Sequence, residues 1–290
     1  MRTQQAVVAG VPCLAVILWL GSCSTGRAPT ARMGTPAWFW GAAKEQFAAG
    51  DFVKTQEHLE KIMVSESPLK ARATTWHLVV LGGMAAGLKD LAEAYEDGSM
   101  VAKTGSGEFR RVSNDMYRLS KQYSIGLAQE VDRIRKDMAG VEQFTLEFSF
   151  PIGSAAEIGT LARVRQGMMP QESERASAQR QSLARGIVME TSAVVGVGDD
   201  SAKAAESFKT PPVQVPRAVF LLGVAETLYE QSKIFDRRKL NEPDKRKILL
   251  EQAVECLKPA ADTGDAGQKK KAKELLGKIE KEQKTLPKAA

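Results

Sequence analysis

Phe109-Arg-Arg-Val112-Ser-Asn-Asp-Met116-Tyr-Arg-Leu119-Ser-Lys-Gln-Tyr123-Ser-Ile-Gly-Leu127-Ala-Gln-Glu-Val131-Asp-Arg-Ile134-Arg-Lys-Asp-Met138 decides the fold class. Its apolar residues recur in eight steps over 29 residues. A step of about 3.6 is the period of a straight α-helix and exceeds the 3.5 of a coiled coil. At 1.5 Å per residue such a helix runs roughly 45 Å. That length predicts a central spine with shorter helices packed against it, and so an all-α protein.

The flanks extend the pattern. Upstream, Trp76, Val79, Val80, Leu81, Met84, Leu88, Leu91, Ala92 and Tyr95 predict a further helical pair over Lys70–Asp97. Gly82, Gly83 and Gly87 within it mark a close helix approach or a bend near Gly87. Surrounding charges exclude a membrane dimerisation role for Gly83-x-x-x-Gly87. Downstream, residues 139–216 read as an irregular segment with short helices. There Phe144, Leu146, Phe148 and Phe150 alternate with Thr145, Glu147 and Ser149, the period of an extended strip, and no strand partner is identifiable. Ser154–Glu157 has the form of a capping box opening a short helix that ends at Gly167, and Gln171–Val195 predicts another helix. The stretch from Lys209 to Pro216 reads as a loop.

Two regions carry a resemblance. In residues 36–138, Pro36 starts a helix with Phe39, Ala42, Ala43 and Phe47 on one face. Ala49-Gly50-Asp51-Phe52 then turns the chain, with Gly50 free to adopt the left-handed conformation. Leu59, Ile62, Met63 and Pro68 complete a second helix. This pair resembles a tetratricopeptide repeat, which implies antiparallel helical hairpins stacked into a concave surface. It departs from the pattern at Phe39, Ala42-Ala43 and Thr55. Residues 217–283 look similar: Phe220, Leu222, Gly223, Ala225, Leu228 and Tyr229 suit a first helix, and Asp244–Lys258 suits its partner, followed by Pro259. A Lys-rich helix over Asp265–Lys281 suits a polar cap, and residues 284–290 read as a disordered tail.

The amino end predicts an address. Arg2, an apolar run from Ala6 to Leu20 and Leu20-Gly21-Ser22-Cys23 resemble the signal and lipobox of bacterial lipoprotein precursors. The run of 15 residues is shorter than the roughly 20 that span a bilayer. The resemblance implies that residues 1–22 are removed, that Cys23 is acylated and held in the membrane, and that residues 23–35 form a flexible tether. Ser24, in place of an Asp, implies the periplasmic face of the outer membrane.

Composition narrows the chemistry. The 290 residues carry a net charge of +6 and 43% hydrophobic residues, a globular balance. No dense basic block flanked by aromatics points to nucleic acid. Of three cysteines only Cys256 remains as a thiol after removal of Cys13 and acylation of Cys23, so no internal disulfide is expected. Its amphipathic helix suits a buried, inert side chain. His58 and His77 belong to no metal motif, and the sequence carries neither a nucleophile elbow nor a complete nucleotide-binding loop, so neither metal, cofactor nor catalytic residue is expected.

These readings predict a non-catalytic helical scaffold or adaptor for envelope protein partners. It looks loosely like the helical subunit of the outer-membrane β-barrel assembly machinery, and equally like the accessory lipoprotein of tripartite periplasmic transporters. Trp38, Trp40, Phe144 and Phe148 are the candidate groove contacts. The alternative is a small-ligand carrier or accessory protein, or an envelope enzyme, with a pocket near residues 144–167.

Overall fold

The computed structural model describes residues 31–150 and 158–286. Ten helices and one two-stranded sheet form among them. Cys23, the signal segment, most of the tether, Ser154–Glu157 and residues 287–290 lie outside the described residues. The fold class is helical, as the spacing of apolar residues predicts.

Local chemistry sets the first hairpin. Helix α1 (Pro36–Ala48) starts where Thr35 Oγ1 accepts from Trp38 N at 3.3 Å. Helix α2 (Phe52–Met63) starts where Asp51 Oδ1 accepts from Lys54 N at 3.1 Å. Between them Gly50 takes φ +76°, which glycine reaches without the penalty a Cβ would incur.

The spine is a different element from the one the sequence suggests. Lys70–Val101 is one uninterrupted helix, α3, and no helical pair. It packs against α2, against the helices over Ser106–Asp137, Ile158–Arg165, Glu172–Val194 and Arg217–Ser232, and against the strand Gln143–Leu146. Helix α4 (Ser106–Asp137) does form over the quoted stretch, but it lies on one flank of α3. The reason is physical. Buried residues run almost all round α3, the mark of a central helix, whereas α4 keeps an open polar face. Along the middle of α4 the contact stripe is Ser113, Tyr117, Ser120 and Ser124, while Met116, Leu119 and Tyr123 are only half-buried. Ser113 Oγ donates to the Ala92 carbonyl at 2.8 Å and Ser120 Oγ to the Ala85 carbonyl at 2.9 Å, an antiparallel register. Small hydroxyls that bond the facing backbone let two long helices meet closely, and hydropathy periodicity is blind to them.

The middle segment is more regular than expected. After the short α5 (Ile158–Arg165), helix α6 (Glu172–Val194) lies antiparallel along α3. Gly83, Gly87 and Gly186 meet at the crossing, where a Cβ on Gly87 would overlap the Ser182 carbonyl and one on Gly186 the Gly83 carbonyl. So the glycines serve close approach, and α3 needs no interruption at Gly87. The Phe144 strip also finds its partner. Strand β1 (Gln143–Leu146) pairs antiparallel with β2 (Val213–Pro216), Phe144 opposite Val215, inside a stretch the sequence reads as a loop. Pro216 at the strand end and the short length of Val213–Pro216 hide that strand from pattern reading.

The rest of the chain closes the body. The short α7 (Ser201–Ser207) precedes β2; α8 (Arg217–Ser232), α9 (Pro243–Thr263) and α10 (Ala266–Thr285) follow it. Helix α9 passes through Pro259 instead of ending before it, and α10 continues to Thr285, inside the expected tail. Gly223 of α8 rests on the backbone of Ala193 and Val194 of α6. Asp265 Oδ1 accepts from Gln268 N at 2.8 Å and starts α10. Trp76, Tyr95, Phe109, Phe144, Phe220 and Phe235 are the largest fully buried side chains. No described helix is long and apolar enough to cross a membrane.

Candidate functional site

Three helices packed through glycines leave a cleft beside their crossing. It lies between α3, α6 and α8, encloses about 400 Å³ and opens to solvent. Its lining residues all lie outside the stretch 144–167 in which the sequence reading places a pocket. Ala86, Gly87, Gly186 and Ala193 give it an apolar floor of small residues.

Glu190 of α6 forms part of the wall. The residue is only 2% exposed, yet its Oε1 has no hydrogen-bond partner. Thr227 of α8 donates its hydroxyl to Oε2. The carboxyl fits because Gly82 faces it: a Cβ there would sit 2.7 Å from Glu190 Cδ. Burial pushes the carboxyl up to about 8, against the Thr227 bond that favours ionisation and with a small further push from Glu226. A carboxyl that stays protonated at neutral pH in a cleft is the kind of perturbed group that marks binding and reactive sites. Beside it, Gln231 accepts from Ser120 and Ser124 of α4, each at 3.2 Å.

The cleft is acidic within a basic protein. Six carboxylates and two cations line it. Three of the carboxylates are engaged: Asp90 by Arg165 and Arg185, Glu93 by Lys239, Glu230 by Lys89 and Lys233. Glu190, Glu226 and Asp199 have no ion-pair partner among the described residues. Burial raises Glu226 as well, and Asp199 adds to that rise. No histidine, cysteine, serine or tyrosine lines the cleft.

The residues expected to form a partner groove lie elsewhere, and three of the four are inside. Trp40 packs edge-on against Trp76 with centroids 5.3 Å apart and is buried. Phe148 stacks on the other side of Trp76 at 5.3 Å, and also meets Phe47 and Phe208. Phe144 is buried against Phe220 at 4.5 Å. These aromatics are core because α3 and α8 each present a large ring to them, Trp76 and Phe220. Only Trp38 is half-buried, edge-on to Phe39 and to His58. His77 is buried between Glu60 at 3.5 Å and Glu130 at 3.9 Å, on opposite ring nitrogens, an arrangement unsuited to a shared metal ion. Among the described residues no group of three ligating side chains could hold a metal.

Sequence reasoning missed Glu190 and Thr227. One feature could have found the first: from Gly186 to Gly198, Glu190 is the only charged residue. A lone acid in an apolar helical run is either buried or functional. Comparison with protein-family models, curated proteins and solved structures gives no match.

Proposed function

We propose that the chain is a lipid-anchored, non-catalytic binding protein of the bacterial cell envelope, whose helical body holds a small ligand in the cleft between α3, α6 and α8. One observation carries this reading: a carboxyl oxygen of Glu190 is removed from water and left without a partner on the cleft wall. Such an atom costs free energy in the empty protein, and a ligand that supplies the partner recovers it. Rigid helices hold the wall in place, which keeps the ordering cost of binding low. No histidine, cysteine or serine lines the cleft, and its one hydroxyl, on Thr227, is held by the buried Glu190 carboxyl, which supports binding over catalysis.

The address rests on Leu20-Gly21-Ser22-Cys23, with Cys23 acylated and Ser24 directing the product to the periplasmic face of the outer membrane. Two or more acyl chains anchor stably, at about 0.8 kcal/mol per buried CH₂.

A second reading has its own support. Helices α1 and α2 pack together, as do α8 and α9, over the two regions whose sequences resemble tetratricopeptide units, and half-buried Trp38 on α1 keeps an aromatic at the surface. On that reading the body is a scaffold for envelope protein partners. Purification of the lipidated protein from bacterial membranes separates the two. Native mass spectrometry should show Cys23 acylated and a small molecule released on denaturation. Stoichiometric protein partners with no released small molecule would favour the scaffold, and an unmodified Cys23 would remove the anchor.

A further inference from the structure

Resting on the ligand-binding reading, we propose that the cleft takes a small organic cation, an alkylammonium compound, whose charged nitrogen meets Glu190 at the inner wall. Charge chooses the sign of the ligand. Glu190, Glu226 and Asp199 lack ion-pair partners among the described residues, while Lys89 and Arg185, the two cations of the lining, each already meet a carboxylate. An anionic ligand would face the unpaired carboxyls of Glu226 and Asp199, whereas a cation is attracted by them and favours ionisation of Glu190. Shape chooses the class. Small apolar residues, Ala86, Gly87, Gly186 and Ala193, form a surface that alkyl carbons can cover. No set of described carboxylates converges tightly enough to hold a metal ion, so the charge must come from a group that hydrogen-bonds. An ammonium donates three hydrogen bonds and accepts none, which suits the bare Glu190 Oε1.

Binding should then displace a proton. Burial keeps Glu190 protonated near neutral pH, and an ammonium beside it favours the ionised form. The charged groups around it are Lys89, Asp90 and Glu93 from α3 and Arg185 from α6. Glu226 and Glu230 from α8 and Asp199 from the turn after α6 complete the ring, with Lys271 and Lys278 of α10 reaching Glu226. Of these, Glu190 is the group whose proton the ligand replaces.

The test is calorimetric titration of the full lipidated chain with 1,5-diaminopentane, alongside neutral 1,5-pentanediol, anionic pentanedioate and a capped lysine tripeptide. The diamine should bind and the neutral and anionic analogues should not. Glu190→Gln and Glu226→Gln should each weaken it at least about tenfold. The observed heat should change with the ionisation heat of the buffer, reporting proton release, and affinity should rise between about pH 6 and about pH 8. Absence of diamine binding, or equal binding by both variants, overturns the proposal. Preferential binding of the lysine peptide overturns it in favour of a protein side chain. Release of a neutral or anionic compound from the native cleft would overturn the cation and leave the ligand-binding reading standing.

Discussion

Ser182 Oγ donates to the Gly87 carbonyl at 2.8 Å, where the backbones of α6 and α3 come into direct contact. A side chain at Gly87 would have to displace the Ser182 backbone, which a packed helix cannot yield cheaply. Gly87→Ala should therefore destabilise the body by about 1–3 kcal/mol or more, although alanine is the better helix former by about 1 kcal/mol. Gly277 on α10 has open space around it, so Gly277→Ala should stabilise by about 0.5–1 kcal/mol. Urea unfolding of the two variants checks both signs, and an unchanged midpoint for Gly87→Ala would sink the helix crossing.

Glu190 gives stability a pH dependence of known direction. In the unfolded chain its carboxyl ionises near 4.5; in the folded protein burial holds the proton up to about 8. Between those values the unfolded state binds fewer protons, so this group's contribution to stability falls as pH rises and levels off above about 8. Glu190→Gln keeps the shape and removes the titration. Relative to the parent, its unfolding free energy should rise across that window by on the order of a few kcal/mol. Thr227→Val removes the hydroxyl that favours the ionised carboxyl, and should extend the fall to higher pH. Denaturant titrations at a series of pH values measure each. A flat difference between Glu190→Gln and parent would show that the carboxyl is not buried as described.

What the sequence discloses and what it hides divide along physical lines. Helix ends are legible where a side chain caps them: Thr35, Asp51 and Asp265 each sit before the helix they start. So is the helix at Gln171–Val195, from its apolar positions. Hierarchy is not legible. Which of two 32-residue helices is central depends on α6 packing against Gly83 and Gly87, a contact between segments about a hundred residues apart in the chain. The strand pair is hidden for the same reason, since Phe144 meets Val215 only through the fold. The cleft is least legible of all. Glu190 comes from α6, Thr227 from α8 and Gly82 from α3, and no local pattern joins them.

Cys256 should be silent in the native protein. It is fully buried on α9, and burial pushes its thiol up to about 12 despite Arg135 and Arg217 nearby. The thiolate is the reactive form, so both exposure and ionisation work against reaction. In a chain with Cys13 and Cys23 replaced by Ser, a disulfide reagent should leave the folded protein unmodified and label one thiol in urea. Rapid labelling without denaturant would contradict the packing of α8 on α9.

Phe148 separates a core role from a groove role most directly. It stacks on Trp76 with the ring planes 12° apart and touches Phe47 and Phe208, so removing it leaves a hole that three aromatic neighbours cannot fill. Phe148→Ala should cost about 3–5 kcal/mol, the usual price of a buried aromatic lost to a cavity. Tryptophan emission should move to longer wavelength as water reaches Trp76, which is 1% exposed in the parent. A residue lining an exposed partner groove would behave otherwise: stability would hold, emission would stay, and only partner binding would weaken. Phe148 does not line the cleft that holds Glu190, so ligand binding by the folded fraction should persist. Loss of binding with stability intact would return Phe148 to the surface and reopen the groove.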